Sequence, residues 1–264
     1  MVIIGSSDNR NFKLCQQLAN KKHRDKMGLY LIEGPNLLAE AVANGARIQL
    51  VVFSENKVPE LSLENLGESY KGAEVVGMTA KLFEKIGQTE TSQGVLAVIE
   101  KQKTTQEQAS LELLSGDGNV VILDRLQDPG NIGTIIRTAD AAGYKGVMVL
   151  KGTGDVYAPK VIRAAAGSVF RMPVLFVESP AQAIELLKRY GKMIVATCFD
   201  TEHAYYDSDL KKHVALVIGN EGNGICPEFI NGADLKVKIP MAGRTESLNA
   251  AVAAGIIMFE AIRK

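Results

Sequence analysis

The chain has 264 residues, of which 46% are hydrophobic and 23% charged, with 30 Lys+Arg balanced by 30 Asp+Glu. This is ordinary globular composition, long enough for one large domain or two modest ones. Zero formal charge argues against a protein that coats nucleic acid non-specifically, which needs a cation excess, yet leaves room for a local basic patch. No apolar run reaches the roughly 18 residues of a membrane helix. The apolar run at the N-terminus is too short for a secretory signal. Cys15, Cys198 and Cys226 are too scattered for a disulfide frame or a zinc site, so the cytoplasm is the expected location.

In chain order, residues 8–26 read as a helix followed by a basic turn rich in lysine and arginine. That turn is either a solvated surface or an RNA-facing patch. A strand over 29–32 is broken by Gly34-Pro35, and an amphipathic helix then runs to Asn44-Gly45. Strands follow over 48–53, 74–77 and 95–99, with a helix over 80–86. Together they make an α/β unit of about 100 residues. Residues 101–119 turn polar and end in Gly116-Asp117-Gly118, which marks a linker with a short helix and the domain boundary.

The second unit alternates strands (120–123, 146–150, 174–176, 193–197, 214–218, 235–239) with helices (132–142, 159–166, 181–190, 227–230, 248–262). Alternation of this kind implies a mostly parallel sheet covered on both faces.

Three strand-end loops stand out. In the first, the apolar run 120–123 turns through Asp128-Pro129-Gly130-Asn131 into a helix. Asn131 is expected at its N-cap. Thr134, Arg137 and Thr138 fall opposite the apolar face of Ile132, Ile135, Ile136 and Ala139. The stretch is either a plain βα corner with a solvated arginine or a ligand-facing sheet edge.

The second loop, 214–227, places Gly219, Gly222 and Gly224 after a strand, with Glu221 among them. The spacing differs from the dinucleotide fingerprint, and Glu221 would repel phosphate. A ligand carrying positive charge fits better. In the third, a strand ends near Pro240 and a long small-residue helix starts after Ser247. Ser247 and Asn249 are either caps or site residues, and Gly255 inside the helix is expected to have a packing reason.

Taken together, N-x-G-x-x-x-R (Asn131, Gly133, Arg137), G-N-E-G-x-G-I (219–225) and I-P-M-x-G-x-x-x-S-L-N (239–249) resemble the three ordered motifs of the SpoU, or TrmH-like, RNA 2′-O-ribose methyltransferases of the SPOUT superfamily. The first half resembles, more loosely and mainly around 24–45 and 93–98, the ribosomal-protein-like RNA substrate-binding domain common in that family.

The resemblance implies a fold class of α/β, with a small N-terminal α/β RNA-binding domain (1–102), a linker (103–118) and a C-terminal α/β sheet domain (119–264) containing a trefoil knot. It implies S-adenosylmethionine as cofactor, held by Thr197, Cys198, Gly219, Asn220, Glu221, Gly222, Ile239, Met241, Ser247 and Leu248. The catalytic set it implies is Arg137, Asn131, Glu221, Ser247 and Asn249. Asn131 is expected to orient Arg137 or the ribose, and Glu221 to hold a cationic partner, either Arg137 or the cofactor's amino end. Arg137 suits a clamp on phosphate and developing alkoxide better than a general base, because a guanidinium essentially does not deprotonate.

Lys21, Lys22, Arg24, Lys26, Arg125 and Arg163 are the expected RNA contacts. The implied partners are structured RNA, ribosomal RNA ahead of tRNA, and a second copy of the chain through the C-terminal domain. No metal and no membrane are expected. The rival readings are a tRNA methyltransferase, an inactive RNA-binding protein of the same fold, and a nucleotide-dependent oxidoreductase, which the glycine spacing weakens.

Overall fold

The computed structural model describes residues 2–57, 72–89, 91–102 and 105–263. The chain divides into two compact units, Met1–Lys103 with Tyr157–Ile162, and Thr104–Val156 with Arg163–Lys264.

The N-terminal unit contains β1 (Val2–Ile4), α1 (Arg10–Leu18), α2 (Lys21–Met27), β2 (Leu29–Glu33), α3 (Pro35–Ala43), β3 (Ile48–Ser54), β4 (Glu74–Met78), α4 (Ala80–Glu84) and β5 (Val95–Glu100). The sheet order is β1-β4-β3-β5-β2. Strands β1, β4 and β3 run parallel, and β5 is antiparallel to β3 and β2. Asn9 caps α1, its side chain accepting from the amide of Asn11. Phe12, Cys15 and Leu18 then fall on one face and pack with Leu31, Val52, Phe83 and Val98. Helix α3 begins at Pro35 and stops at Asn44-Gly45, as its sequence punctuation predicts.

Two features differ from expectation. Strand β1 was not expected. The basic turn is a second helix, α2, capped by the side chain of Asn20 on the amide of Lys22 at 2.9 Å.

The C-terminal unit contains α5 (Gln106–Leu114), β6 (Val120–Asp124), α6 (Pro129–Ala141), β7 (Gly146–Leu150), the last residues of α7 (Pro159–Ala165, of which the part up to Ile162 falls in the N-terminal unit), a 3-10 turn at Ala166–Phe170, β8 (Val174–Val177), α8 (Pro180–Arg189), β9 (Met193–Thr197), a 3-10 turn at Tyr205–Asp207, β10 (Val214–Gly219), α9 (Pro227–Gly232), β11 (Leu235–Val237) and α10 (Ala250–Glu260). Six strands form a wholly parallel sheet in the order β11-β9-β10-β6-β7-β8. The near-continuous apolar runs of β6 and β10 are buried, as a parallel sheet covered on both faces demands.

The chain winds outward from β6 to β8 and crosses to β9. It then returns through β10, which lies between β9 and β6. The winding therefore reverses between β6 and β10, and their last residues, Asp124 and Gly219, are register partners. The carboxyl ends of strands at such a reversal are where open α/β sheets hold ligands.

The expected linker is not a free connector. Residues 103 and 104 lie outside the described residues, but α5 opens with a capping box between Thr105 and Gln108. It then buries Leu113 and Leu114 completely in the core of the C-terminal unit. At the far end β11 stops at Val237 and α10 starts at Ala250, so 238–249 is one long loop. Helix α10 returns to pack on α6. A Cβ at Gly255 would meet Thr138 Cγ2 at 3.5 Å, an ordinary contact, so helix packing does not require glycine there.

Candidate active site

The site begins at the end of β6. Asp124 is fully buried, and the chain then turns through residues 125–128 into α6. Asp128, not Asn131, is the N-cap: its Oδ1 accepts from the amide of Asn131 at 2.8 Å, and Pro129 takes the first helical position. Both Asp and Asn cap well, and proline's fixed φ with its missing N–H selects the earlier of the two. Asn131 therefore sits in the first turn, its side chain released from capping and turned to other loops.

The loop after β10 is a closed turn. Asn220 and Gly224 exchange backbone hydrogen bonds at 3.0 and 2.8 Å. Oδ1 of Asn220 accepts from the amides of Gly222 and Asn223, both at 3.0 Å. Gly224 takes a φ of 65°, which glycine adopts without a Cβ penalty. A Cβ on Gly219 would lie 2.3 Å from the carbonyl carbon of Gly224 and 2.4 Å from the amide nitrogen of Ile225. Only a bare backbone fits, and the loop folds directly onto the strand end.

Glu221 projects from this turn to the β6 corner. Its carboxylate accepts from the amides of Gln127 and Asp128, each at 3.2 Å, and from Nδ2 of Asn131 at 3.0 Å. Partial burial pushes its pKa up. The hydrogen bonds from Asn131 and from the backbone outweigh this and hold the carboxyl below the ordinary glutamate range. Oδ1 of Asn131 in turn accepts from Nδ2 of Asn249 at 2.8 Å. Oδ1 of Asn249 caps α10, accepting from the amides of Ala251 and Val252. One chain of side-chain bonds, Glu221–Asn131–Asn249, thus joins all three loops.

Of the two cations expected for Glu221, Arg137 is not its partner, and these N–H donors meet the carboxylate instead. The expected orienting bond from Asn131 to Arg137 is replaced by bonds to Glu221 and Asn249. Arg137 stands exposed on α6, and its side chain makes no hydrogen bond or ion pair among the described residues. It presents an uncommitted guanidinium.

The other expected cofactor positions line the same sheet edge. Thr197 is half-buried and donates to the carbonyl of Val217 at 3.2 Å. Cys198 is half-buried, and burial raises its thiol pKa, which keeps it neutral at neutral pH. Ile239 and Met241 are half-buried, while Ser247 and Leu248 are exposed just ahead of α10. Asn220 and Gly222 lie within the closed turn already described. Asn249 is both a cap and a member of the polar chain.

Of the expected RNA contacts, Lys21, Lys22, Lys26 and Arg163 are exposed. Arg24 is a correction. It is buried, and Nη1 donates to the carbonyls of Leu18 and Ala19, both at 2.8 Å, closing the C-terminus of α1. Arg125 has its guanidinium bound to the buried Asp124, with 39% of the side chain still exposed.

Asp124, Gln127 and Thr153 belong to the corner and were not expected there, and Asp128, expected only as part of the turn, is its cap. An Asp-Arg pair closing an apolar strand was the available signal, since a carboxylate at a buried strand end demands a partner.

A parallel sheet whose winding reverses at this edge, with a glycine-built loop and a polar chain linking three motifs, defines an α/β ligand-binding scaffold of the enzyme class. The family follows from comparison. Residues 118–259 match the SpoU rRNA methylase family and residues 9–97 the MRM3-like substrate binding domain. The chain belongs to the SpoU family.

It is 34% identical over 257 residues to a Bacillus subtilis 23S rRNA (guanosine(2553)-2′-O)-methyltransferase, RlmP, covering 97% of each chain. It is 33% identical to a 23S rRNA (uridine(2479)-2′-O)-methyltransferase of Streptomyces viridochromogenes, covering 98% of this chain and 91% of that one. The AdoMet-bound rRNA methyltransferase from Sinorhizobium meliloti superimposes with a TM-score of 0.86 at 33% identity, over 98% of this chain and 96% of that one.

Proposed function

We propose that this chain methylates the 2′-hydroxyl of a ribose in ribosomal RNA, using S-adenosylmethionine. The observation that carries the reading is the Glu221–Asn131–Asn249 chain, which joins three sequence-distant motifs at the reversal of the sheet. The full-length similarity to named rRNA 2′-O-methyltransferases supports it and favours rRNA over tRNA.

The site residues fit the cofactor. The bare backbone at Gly219 lets the 219–225 loop close directly onto the strand end and hold its shape there. Half-buried Ile239, Met241 and Ile225 offer apolar surface to a flat ring. The lowered carboxyl of Glu221 keeps negative charge near a cationic ligand at neutral pH. When bound, S-adenosylmethionine supplies a methyl group on sulfonium, already a good leaving group.

The protein's work is then alignment, which can supply several kcal/mol (about 7 or more in well-oriented reactions), and charge stabilisation. Glu221 and Asn131 fix the spacing between the 219–225 turn and the β6 corner. Arg137, with its guanidinium uncommitted, clamps a phosphate of the target nucleotide and stabilises the oxygen as its proton leaves to water or an RNA phosphate.

Ser247 contributes a hydroxyl to the cofactor side. Lys21, Lys22 and Lys26 on α2, together with Arg163, are the proposed RNA contacts. A homodimer through the C-terminal unit and a cytoplasmic location belong to the same reading. In support of the dimer, Val252, Phe259 and Ile262 of the α10 region are about half exposed. Among the described residues no helix is long and apolar enough to cross a membrane. The trefoil knot belongs to the reading too, supported by the return of α10 to α6 after β11.

The test is ribose-methylation mapping of rRNA and tRNA from cells with and without the gene, paired with methyl transfer from labelled S-adenosylmethionine to RNA of the deletion strain. One gene-dependent 2′-O-methyl site in rRNA is expected. A gene-dependent site found only in tRNA, or none at all, overturns the assignment.

A further inference from the structure

At the end of β6 lies a residue pair that methyl transfer as described leaves unused. The carboxylate of Asp124, with no exposed surface, accepts from Nε of Arg125 at 2.7 Å and from Nη2 at 3.3 Å. It also accepts from the amide of Cys226 at 2.6 Å. Arg125 has a φ of 57°, in the left-handed region that costs a non-glycine residue roughly 1 kcal/mol. Such conformations persist only where surrounding bonds impose them, and they gather at functional sites.

In that conformation both backbone groups of Arg125 are used. Its amide donates to Oγ1 of Thr153 at 3.0 Å, and that hydroxyl donates to the carbonyl of Leu123 at 2.9 Å. Its carbonyl accepts from Nδ2 of Asn220 at 2.9 Å and from Nε2 of Gln127 at 3.0 Å. The dipeptide therefore holds the β10 loop at both ends, Asn220 where it begins and Cys226 where it closes. It also holds the loop after β7 through Thr153.

We propose that Asp124 and Arg125 are positioning residues, a clasp that sets the register between the 219–226 loop and the β6 corner carrying Asn131. A buried carboxylate needs its charge and hydrogen bonds matched, and here the charge is matched by a residue whose own backbone bonds to both neighbouring loops. Neither residue touches the reacting atoms. Their effect reaches the chemistry through the spacing of Glu221 and Asn131, and only this kinetic consequence rests on the methyl-transfer reading.

The test uses full-length Asp124→Asn, Arg125→Gly and Arg125→Lys proteins. Asparagine keeps an acceptor for Cys226 but loses the charge. Glycine takes the left-handed conformation without strain yet has no guanidinium. Three readouts are needed: amide hydrogen exchange over 219–226, affinity for S-adenosylhomocysteine by calorimetry, and single-turnover methylation of rRNA from the deletion strain at saturating S-adenosylmethionine.

For Asp124→Asn and Arg125→Gly, exchange should rise at least about tenfold. The single-turnover rate should fall about 100-fold, the scale of a misplacement near 1 Å. S-adenosylhomocysteine affinity should stay within about threefold, since the loop itself remains closed. Arg125→Lys, which keeps the charge without the fork, should recover part of the rate.

Unchanged exchange in both variants overturns the clasp, as does an Arg125→Gly protein with wild-type rate. Equal losses of affinity and rate with a collapsed melting transition in Arg125→Gly would reduce the pair to a folding role and also overturn it. If the wild-type protein methylates no RNA while exchange still rises in the variants, the clasp stands and the assigned reaction fails.

Discussion

The side-chain amide of Asn249 donates to Oδ1 of Asn131 at 2.8 Å, and this bond fixes the polarity of the whole site. Asn131 must turn Nδ2 to the carboxylate of Glu221, so only its oxygen faces Asn249. Asn249 must turn its oxygen to the first amides of α10, so only its nitrogen faces Asn131. A flip of Asn131 breaks two bonds and a flip of Asn249 three. The two residues should therefore be energetically coupled. In a cycle of Asn131→Ala, Asn249→Ala and the double variant, the effects on S-adenosylhomocysteine affinity should be less than additive by about 1 kcal/mol. Additive losses in calorimetry would show that the bond carries no coupling. Asn131→Asp, which sets a second carboxylate against Glu221, should be worse than Asn131→Ala in single-turnover methylation.

Arg137 is exposed and its side chain makes no bond within the described residues, so its removal leaves no buried group unsatisfied. Arg137→Ala should melt at the wild-type temperature and bind S-adenosylhomocysteine within about twofold. Its single-turnover methylation should drop by about 100-fold or more, the range seen when a transition-state charge partner is removed. Lysine should rescue poorly because it lacks the planar fork. Comparable methylation by Arg137→Ala would remove the residue from the chemistry.

Glu221 supplies the pH dependence of the assembled site. Hydrogen bonds from Asn131 and two backbone amides hold its carboxyl below the ordinary range, overcoming the effect of burial. A depressed carboxyl contributes stability that is fully present above the unfolded value, about 4.3, and lost as pH falls through the lower folded value. Cofactor-product affinity should thus be flat from about pH 8 down to the ordinary glutamate value of about 4.3 as far as this group is concerned, and weaken only at a pH lower than that. In Glu221→Gln the side-chain nitrogen would face N–H donors. That variant should bind weakly across the whole range, with the acid-side decline abolished. Calorimetry at four pH values separates the two profiles, and an acid decline that survives in Glu221→Gln would assign it to another group.

The strands were legible because a buried parallel strand is a run of Val, Ile, Leu and Ala, and β6, β7, β9 and β10 are such runs. Strand β1 was not, because three residues carry no periodicity and their partner, β4, lies more than 70 positions away. The cap of α6 was expected at Asn131, three residues late, because that expectation did not use the preference of Pro129 for the first helical position, which makes Asp128 the cap. The site motifs could be read as three separate loops. Their junction could not, because Asn131 meets partners 90 and 118 positions away, and spacing says nothing about such pairs. The same holds for Arg24, whose sequence neighbours are cations but whose bonding partners are carbonyls of the preceding helix.

Two of the three glycines of the second motif should behave differently on substitution. At Gly219 the added Cβ would meet backbone of Gly224 and Ile225, which cannot move without opening the turn. At Gly222 the nearest neighbour is Oδ1 of Asn220 at 3.7 Å, an ordinary contact. Gly219→Ala should lower the melting temperature and lose measurable affinity for S-adenosylhomocysteine, since overpacking against backbone commonly costs about 1–3 kcal/mol. Gly222→Ala should fold like wild type. Equal melting of the two proteins would show that the turn is more yielding than its close packing indicates.

The last contrast separates architecture from RNA binding on α2. Lys21, Lys22 and Lys26 are exposed, whereas Arg24 is 4% exposed and donates to the carbonyls of Leu18 and Ala19. Arg24→Ala leaves the end of α1 without its charged donor, and hydrogen bonds to charged groups carry about 1.5–3 kcal/mol. Its cost should appear in denaturant unfolding of the full chain, as a lower midpoint. Replacing Lys21, Lys22 and Lys26 together with alanine should leave that midpoint in place. It should instead weaken RNA binding and flatten the dependence of affinity on salt. Each lysine that no longer neutralises a phosphate takes about 0.7–0.9 from the slope of log K against log salt. A triple variant with unchanged salt slope would make α2 an ordinary solvated face and move the RNA-binding surface elsewhere on the chain.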